Sequence, residues 1–329
     1  MPSPRRSPSN LEMNRLPMSF RALARAITAL SFVAAAAGCV VVNAGAANAP
    51  ANLFFDDFSY AQPGELAAAG WQLRDGVGHP GLPGGRFAAG AITLLDDPLR
   101  PGNRVLRMTA STDGTGPNTV QAQLCHQRKY LQGTYAARIR FSDTPRSGVD
   151  GDPVIESFYA VAPLAHAFDP DFSELDWEYL PNGGWGADKT RLYGVSWQTV
   201  QIDPWESHNS AHEEFGSFDG WHVLLMQVTK NAVHEFVDGR EVAVHEGRNV
   251  PVSPMTISFN LWFAVNGTLP TGGAPRVYDE DVDWVFHAKD QVLSPAEVDA
   301  QVRALRAQHV PRTDTVPAAN PPLQQRCDI

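Results

Sequence analysis

The stretch Phe172-Ser-Glu-Leu-Asp-Trp-Glu-Tyr-Leu180 alternates acidic and apolar residues without a break, and that rhythm suits an extended backbone. Successive side chains of a strand point to opposite faces, so Glu174, Asp176 and Glu178 share one face and Leu175, Trp177 and Tyr179 the other; a helix would scatter both sets around its axis. The apolar face calls for a core behind it. The acidic face calls for a use, because like charges on one face repel. A strand rises about 3.3 Å per residue, which starts the two glutamates about 13 Å apart at their backbones. Side chains leaning inward on a concave sheet bring their oxygens toward the roughly 5 Å needed for glycoside cleavage with retention, where one carboxylate attacks the sugar and the other protonates the leaving oxygen. Two plainer readings compete. An acidic, solvated strand face discourages edge pairing. Asp169, Asp171 and Ser173 mimic the first ligand positions of an EF-hand calcium loop, but Glu174 stands where glycine is required and Leu180 where a glutamate is required.

Around this stretch, from Asn52 to about His287, glycine and proline punctuate many short runs of β-branched and aromatic residues, and no amphipathic helical pattern occurs. Tyr135-Ala-Ala-Arg-Ile-Arg-Phe141, Val223-Leu-Leu-Met-Gln-Val228, Val233-His-Glu-Phe-Val237 and Met255-Thr-Ile-Ser-Phe259 are examples. Val237-Asp-Gly-Arg240 is a hairpin signal, since Asp-Gly readily adopts the positive φ angles of a two-residue loop. At 329 residues and 43% apolar content the chain is long enough for a substantial core, and an all-β sandwich runs to roughly 200–250 residues as one domain. The expected fold is all-β, two sheets packed face to face. Near the end, Ser294-Pro-Ala-Glu297 combines a capping serine, a proline at the first helical position and a reciprocating glutamate ahead of Val298, Val302 and Leu305. This predicts one short helix, packed outside the sandwich. The proline-rich tail after Val310 is expected to be mobile unless Cys327 anchors it. His208 and His212 have ligand-like spacing, but Ser-His-Asn-Ser-Ala-His-Glu-Glu reads as a polar loop and lacks the zinc-protease pattern.

The first 49 residues read as a targeting segment: five arginines precede an alanine-rich apolar run, Ala26 to Val42. Ala47-Asn-Ala49 suits a signal peptidase. Ala36-Ala-Gly-Cys39 suits a lipobox, with Cys39 as the lipid anchor. The expected division is a targeting segment (1–49), a sandwich (50–290) and a helix with its tail (291–329). Secretion or a periplasmic or cell-surface location follows, with no membrane span left after processing and a single subunit expected. Residues 50–329 carry 21 basic and 35 acidic residues, a formal charge of −14. That surplus disfavours nucleic acid as a partner and permits a neutral polysaccharide. In an oxidising compartment Cys125 and Cys327 either bridge, tying the tail to the body, or stay as separate thiols.

Glu-Leu-Asp-Trp-Glu resembles the Glu-x-Asp-x-Glu signature of glycoside hydrolase family 16. Phe55-Asp-Asp-Phe58 resembles that family's opening strand, and Gly133-Thr-Tyr-Ala-Ala-Arg-Ile-Arg-Phe141 a later one. Trp221-His222 through Phe236-Val-Asp-Gly-Arg240, Met255 to Trp262 and Val282-Asp-Trp-Val285 follow in the family's order. The resemblance implies the concanavalin A-like jelly roll and an endo-acting, retaining hydrolase of β-linked polysaccharide. It casts Glu174 as nucleophile, Glu178 as general acid/base and Asp176 as the support of Glu174. Sugar rings stack on aromatic faces, which makes Tyr159, Trp185, Trp197, Trp205 and Trp262 candidate binders, with Asn260 as a hydrogen-bonding neighbour. For Trp185 and Trp205 a core position fits as well. No cofactor is required for this chemistry; the resemblance adds a structural calcium at Asp283, where the plain reading is a surface acid. Where lichenases supply a glutamate and an arginine to the sugar, this chain has Gln123 and Cys125, a departure that points away from mixed-linkage glucan. The alternatives are a sugar-binding module on the same sandwich and a transglycosylase.

Overall fold

The structure, a computed structural model, describes residues 51–265, 269, 271, 272 and 274–328; the expected targeting segment, Cys39 included, lies outside them. Two sheets face each other. The first runs, edge to edge, β2 (Trp71–Leu73), β7 (Val120–His126), β16 (Ser258–Phe263), β9 (Val154–Val161), β10 (Glu174–Leu180), β11 (Arg191–Gln201) and β12 (Glu206–Phe215), antiparallel throughout. The second is built on the long β17 (Arg276–Lys289). Along one edge it pairs with β8 (Gly133–Phe141), followed outward by β13 (Gly220–Val228), β14 (Ala232–Val237) and β15 (Arg240–Glu246). Along the other it pairs with β6 (Arg104–Thr112), which carries β5 (Ile92–Asp96), and with β1 (Leu53–Asp56), which carries β18 (Arg312–Asp314). Two short strands, β3 (Gly76–Val77) and β4 (Arg86–Phe87), sit at the margin by β7, and a single turn of helix, α1 (Glu65–Ala68), precedes β2.

The alternation of β10 sets the layer order. Leu175, Trp177 and Tyr179 are fully buried and meet Phe158, Phe259 and Leu124 of their own sheet and Ile139, Phe141, Leu224 and Val282 of the other. Strands with one apolar face close a sandwich in this way because neither sheet can bury that face alone. The Asp-Gly turn between β14 and β15 has φ of 50° at Asp238 and 83° at Gly239, the double positive φ that a tight hairpin demands. The predicted helix is α2 (Pro295–Ala307). Ser294 accepts from the Glu297 amide, the reciprocal bond closes the capping box, and Val298, Val302 and Leu305 pack on Leu53, Phe55 and Phe286 outside the second sheet.

Three expectations meet particular outcomes here. The tail is anchored: β18 pairs with β1, Lys129 holds Asp314 at 2.7 Å, and Cys327 is bonded to Cys125. The segment holding His208 and His212 is a strand, β12, and no loop. It is an edge strand that pairs only with β11 in its sheet and is largely solvated, so it lacks the apolar alternation by which strands are recognised. The calcium expected at Asp283 is overturned. Its buried carboxylate is ion-paired with Arg100 at 3.0 Å, Arg138 at 2.8 Å and Arg306 at 2.8 Å, and Asn103 donates to it at 2.8 Å. Three guanidinium groups saturate its oxygens and repel a further cation.

Candidate active site

The outer face of the first sheet forms a cleft of about 740 Å³ that crosses the strands from β7 to β12. Glu174, Asp176 and Glu178 stand in a row along β10 at its floor. Residues directly opposite in antiparallel strands share a face, and register builds the rest of the floor from that row. Glu178 faces Ser157 on one side and Tyr193 on the other, and Ser157 faces Asn260, which faces Gln123. Asp176 faces Tyr159 and Val195; Glu174 faces Trp197. All nine catalytic and sugar-binding candidates named from sequence line this cleft, Tyr159, Trp185, Trp205, Asn260 and Trp262 included, and Asp283 does not.

Their exposures separate them. Trp185 and Trp205 are 52% and 57% exposed, which removes the core reading for both. Trp185 leans on Tyr193 and Trp262, and Trp205 meets Trp197 edge-on at 6.2 Å. Large aromatic faces left in water beside a cleft are surfaces on which a sugar ring can stack. Beneath them, the Ser157 hydroxyl, the Asn260 Oδ1 and the Trp262 indole N–H are buried without a hydrogen-bond partner among the described residues, although buried polar atoms are nearly always satisfied. These three line the cleft and can meet hydroxyl groups of a ligand.

The carboxyl groups are electrostatically frustrated. No lysine or arginine pairs with any of the three among the described residues. Burial, then repulsion from Glu178, raises Glu174 to about 8, and burial raises Glu178 to about 8. Asp176 is pushed up by burial and by both glutamates, opposed by a hydrogen bond from the Trp197 indole N–H at 2.6 Å. Three acids in such surroundings cannot all ionise together, so as the pH rises one gives up its proton while its neighbours still keep theirs. That is the division of labour an acid and a nucleophile require.

Pairing also delivers residues that sequence reasoning passed over. Ser157 and Tyr193 flank Glu178 only through strand register, and Asn209 arrives on the misread β12. His79 to Gly81 line the cleft on the β7 side together with Cys327 and Asp328. Gln123, noted as a departure from lichenases, lies on that side, where its amide donates to the Tyr159 hydroxyl at 2.6 Å.

No protein-family model matches the sequence, and no curated protein matches it. Solved structures match by fold. The β-glucanase of Bacillus licheniformis superposes with a TM-score of 0.51 at 17% identity, over 73% of this chain and 100% of that one. A glycoside hydrolase family 16 endo-glucanase from Bacteroides ovatus gives 0.54 at 14% identity, over 70% of this chain and 98% of the other. LamA from Z. galactanivorans, solved with laminaritriose and laminaritetraose, gives 0.52 at 14%, over 72% and 98%. The chain therefore has the jelly-roll fold of glycoside hydrolase family 16.

Proposed function

We propose that this chain is a glycosidase of the family 16 type that hydrolyses a neutral, β-linked, glucan-type polysaccharide with retention of configuration. The observation that carries the reading is the row Glu174, Asp176, Glu178 on the floor of a cleft walled by exposed tryptophans. In the first step an oxygen of Glu174 bonds to the anomeric carbon as the glycosidic bond breaks, and Glu178 gives its proton to the departing oxygen. In the second, Glu178 takes a proton from water, whose oxygen bonds to the same carbon and releases Glu174. Asp176, held by Trp197, sits between them and shares their proton balance. The β-glucan enzymes of matching fold support the substrate class, and so does the cleft lining, which contains no lysine or arginine among the described residues. A sulfated or uronic-acid chain would find no countercharge there.

The test replaces each glutamate by alanine. Both variants should stay folded and lose at least about 10²–10⁴ of turnover, the usual range for a proton-transfer group. On an activated aryl glycoside with azide, Glu174→Ala should yield a glycosyl azide of inverted configuration by one displacement. Glu178→Ala still forms the covalent intermediate, so two displacements should leave the azide with retained configuration. Near-normal hydrolysis by either variant refutes the assignment.

A further inference from the structure

The cleft is furnished unequally on its two sides. On the β11–β12 side stand Tyr193, Trp197 and the exposed Trp205, and the exposed Trp185 leans from Tyr193 toward Trp262 of β16; on the β7 side Gln123 and Tyr159 are already engaged by the chain's own tail. The Cys327 carbonyl accepts from the Gln123 amide at 2.9 Å and from the Tyr159 hydroxyl. Asp328 is ion-paired with Arg74 at 3.1 Å, and the Arg74 guanidinium also donates to the side-chain Oε1 of Gln123 at 2.7 Å. Gln325 donates to the Cys125 carbonyl at 2.9 Å, beside the Cys125–Cys327 bond itself. The tail thus sits where a sugar would meet Gln123 and Tyr159, while Ser157, Asn260 and Trp262 nearer the carboxylates stay unpartnered.

We infer that residues 325–328, clamped by the Cys125–Cys327 disulfide, are a substrate-length determinant: an end-stop that closes the cleft on the β7 side. The inference rests on the hydrolase reading above. β7 lies three strands from β10, about 14 Å at the usual strand spacing, and the tail reaches inward as far as the hydroxyl of Tyr159 on β9, so only a short stretch of glycan fits between the carboxylates and the tail. The polysaccharide extends freely over β11 and β12 alone. Cleavage consequently falls near one end of the chain, and the endo-action expected from sequence requires the tail to leave.

The experiment incubates the oxidised wild-type protein, and the full-length double variant Cys125→Ser/Asp328→Ala, with barley glucan, laminarin and xyloglucan, and follows mean polymer length against reducing ends released. Wild type should release short products of narrow size while the polymer shortens slowly. The variant should shorten the polymer several-fold more per reducing end and give a broad product ladder. Rapid random shortening by the wild-type protein overturns the end-stop whatever the variant does, and so does end-wise release by both. Absence of any hydrolysis by wild type instead removes the hydrolase reading on which the end-stop stands.

Discussion

At the scale of single residues, the decisive quantity is the proton count on Glu174, Asp176 and Glu178. In an unfolded chain each carboxyl group titrates near about 4, whereas burial and mutual repulsion raise Glu174 and Glu178 to about 8 in the fold. The folded state therefore binds more protons than the unfolded state between those values, and stability must fall as pH rises through that window. Replacing Glu178 by glutamine removes one of the repelling charges. The variant should lose turnover yet melt higher at pH 8, by roughly 2–4 °C, the shift that about 1 kcal/mol produces in a domain of 150–250 residues. At pH 5, where the cluster is protonated, the two proteins should melt together. Calorimetry at both pH values checks this, and an equal gain at both would show that repulsion is not the cause. For wild type, kcat/KM against pH should be bell-shaped with apparent values belonging to the cluster as a whole.

Among the elements, β10 depends on a close approach that only glycine permits. Gly194 on β11 lies opposite Trp177, and a β-carbon there would stand 2.0 Å from Glu235 Oε2 and 3.2 Å from the Trp177 ring. Glu235 is itself fully buried beside His245, with little freedom to retreat. Gly194→Ala should cost about 1–3 kcal/mol, as overpacking does, and should lower the melting temperature. Because β11 also carries Trp197, which donates to Asp176, turnover should fall with it; a variant of unchanged melting temperature would show that the sheets yield at this point. What was legible from sequence follows the same logic of locality. The β10 faces, the Asp-Gly hairpin and the Ser294 cap are each written within a few adjacent residues, so short-range chemistry sufficed. β12 was missed because an edge strand in water has no apolar period. The ring of arginines at Asp283 was missed because Arg100, Arg138 and Arg306 converge from three distant segments. Whether Cys125 met Cys327 was undecidable for the same reason, with a sequence separation of 202.

For the molecule as a whole, charge selects the polymer before the cleft does. The sequence carries a formal net charge of −10, and among the described residues the acidic groups lining the cleft are Glu174, Asp176, Glu178 and Asp328, with His79 the one residue there able to take a positive charge. Asp328 is neutralised by Arg74, but the carboxyl groups of β10 have no such partner among the described residues, so at pH 8, where they begin to ionise, the field at the floor repels anions. Low-dielectric walls concentrate that field. A neutral glucan does not interact with it, and kcat/KM on such a substrate should change less than about twofold between 0.01 and 1 M salt, over which the Debye length falls from about 30 to 3 Å. Carrageenan, which is sulfated, should not be turned over at the low end of that range. Any slight turnover should appear only as salt screens the repulsion. Side-by-side initial rates on laminarin and carrageenan across the salt series check this. Carrageenan cleavage at 0.01 M salt at a rate comparable to laminarin would mean that a cationic surface reaches the substrate from outside the cleft, and the neutral-polysaccharide assignment would then fall.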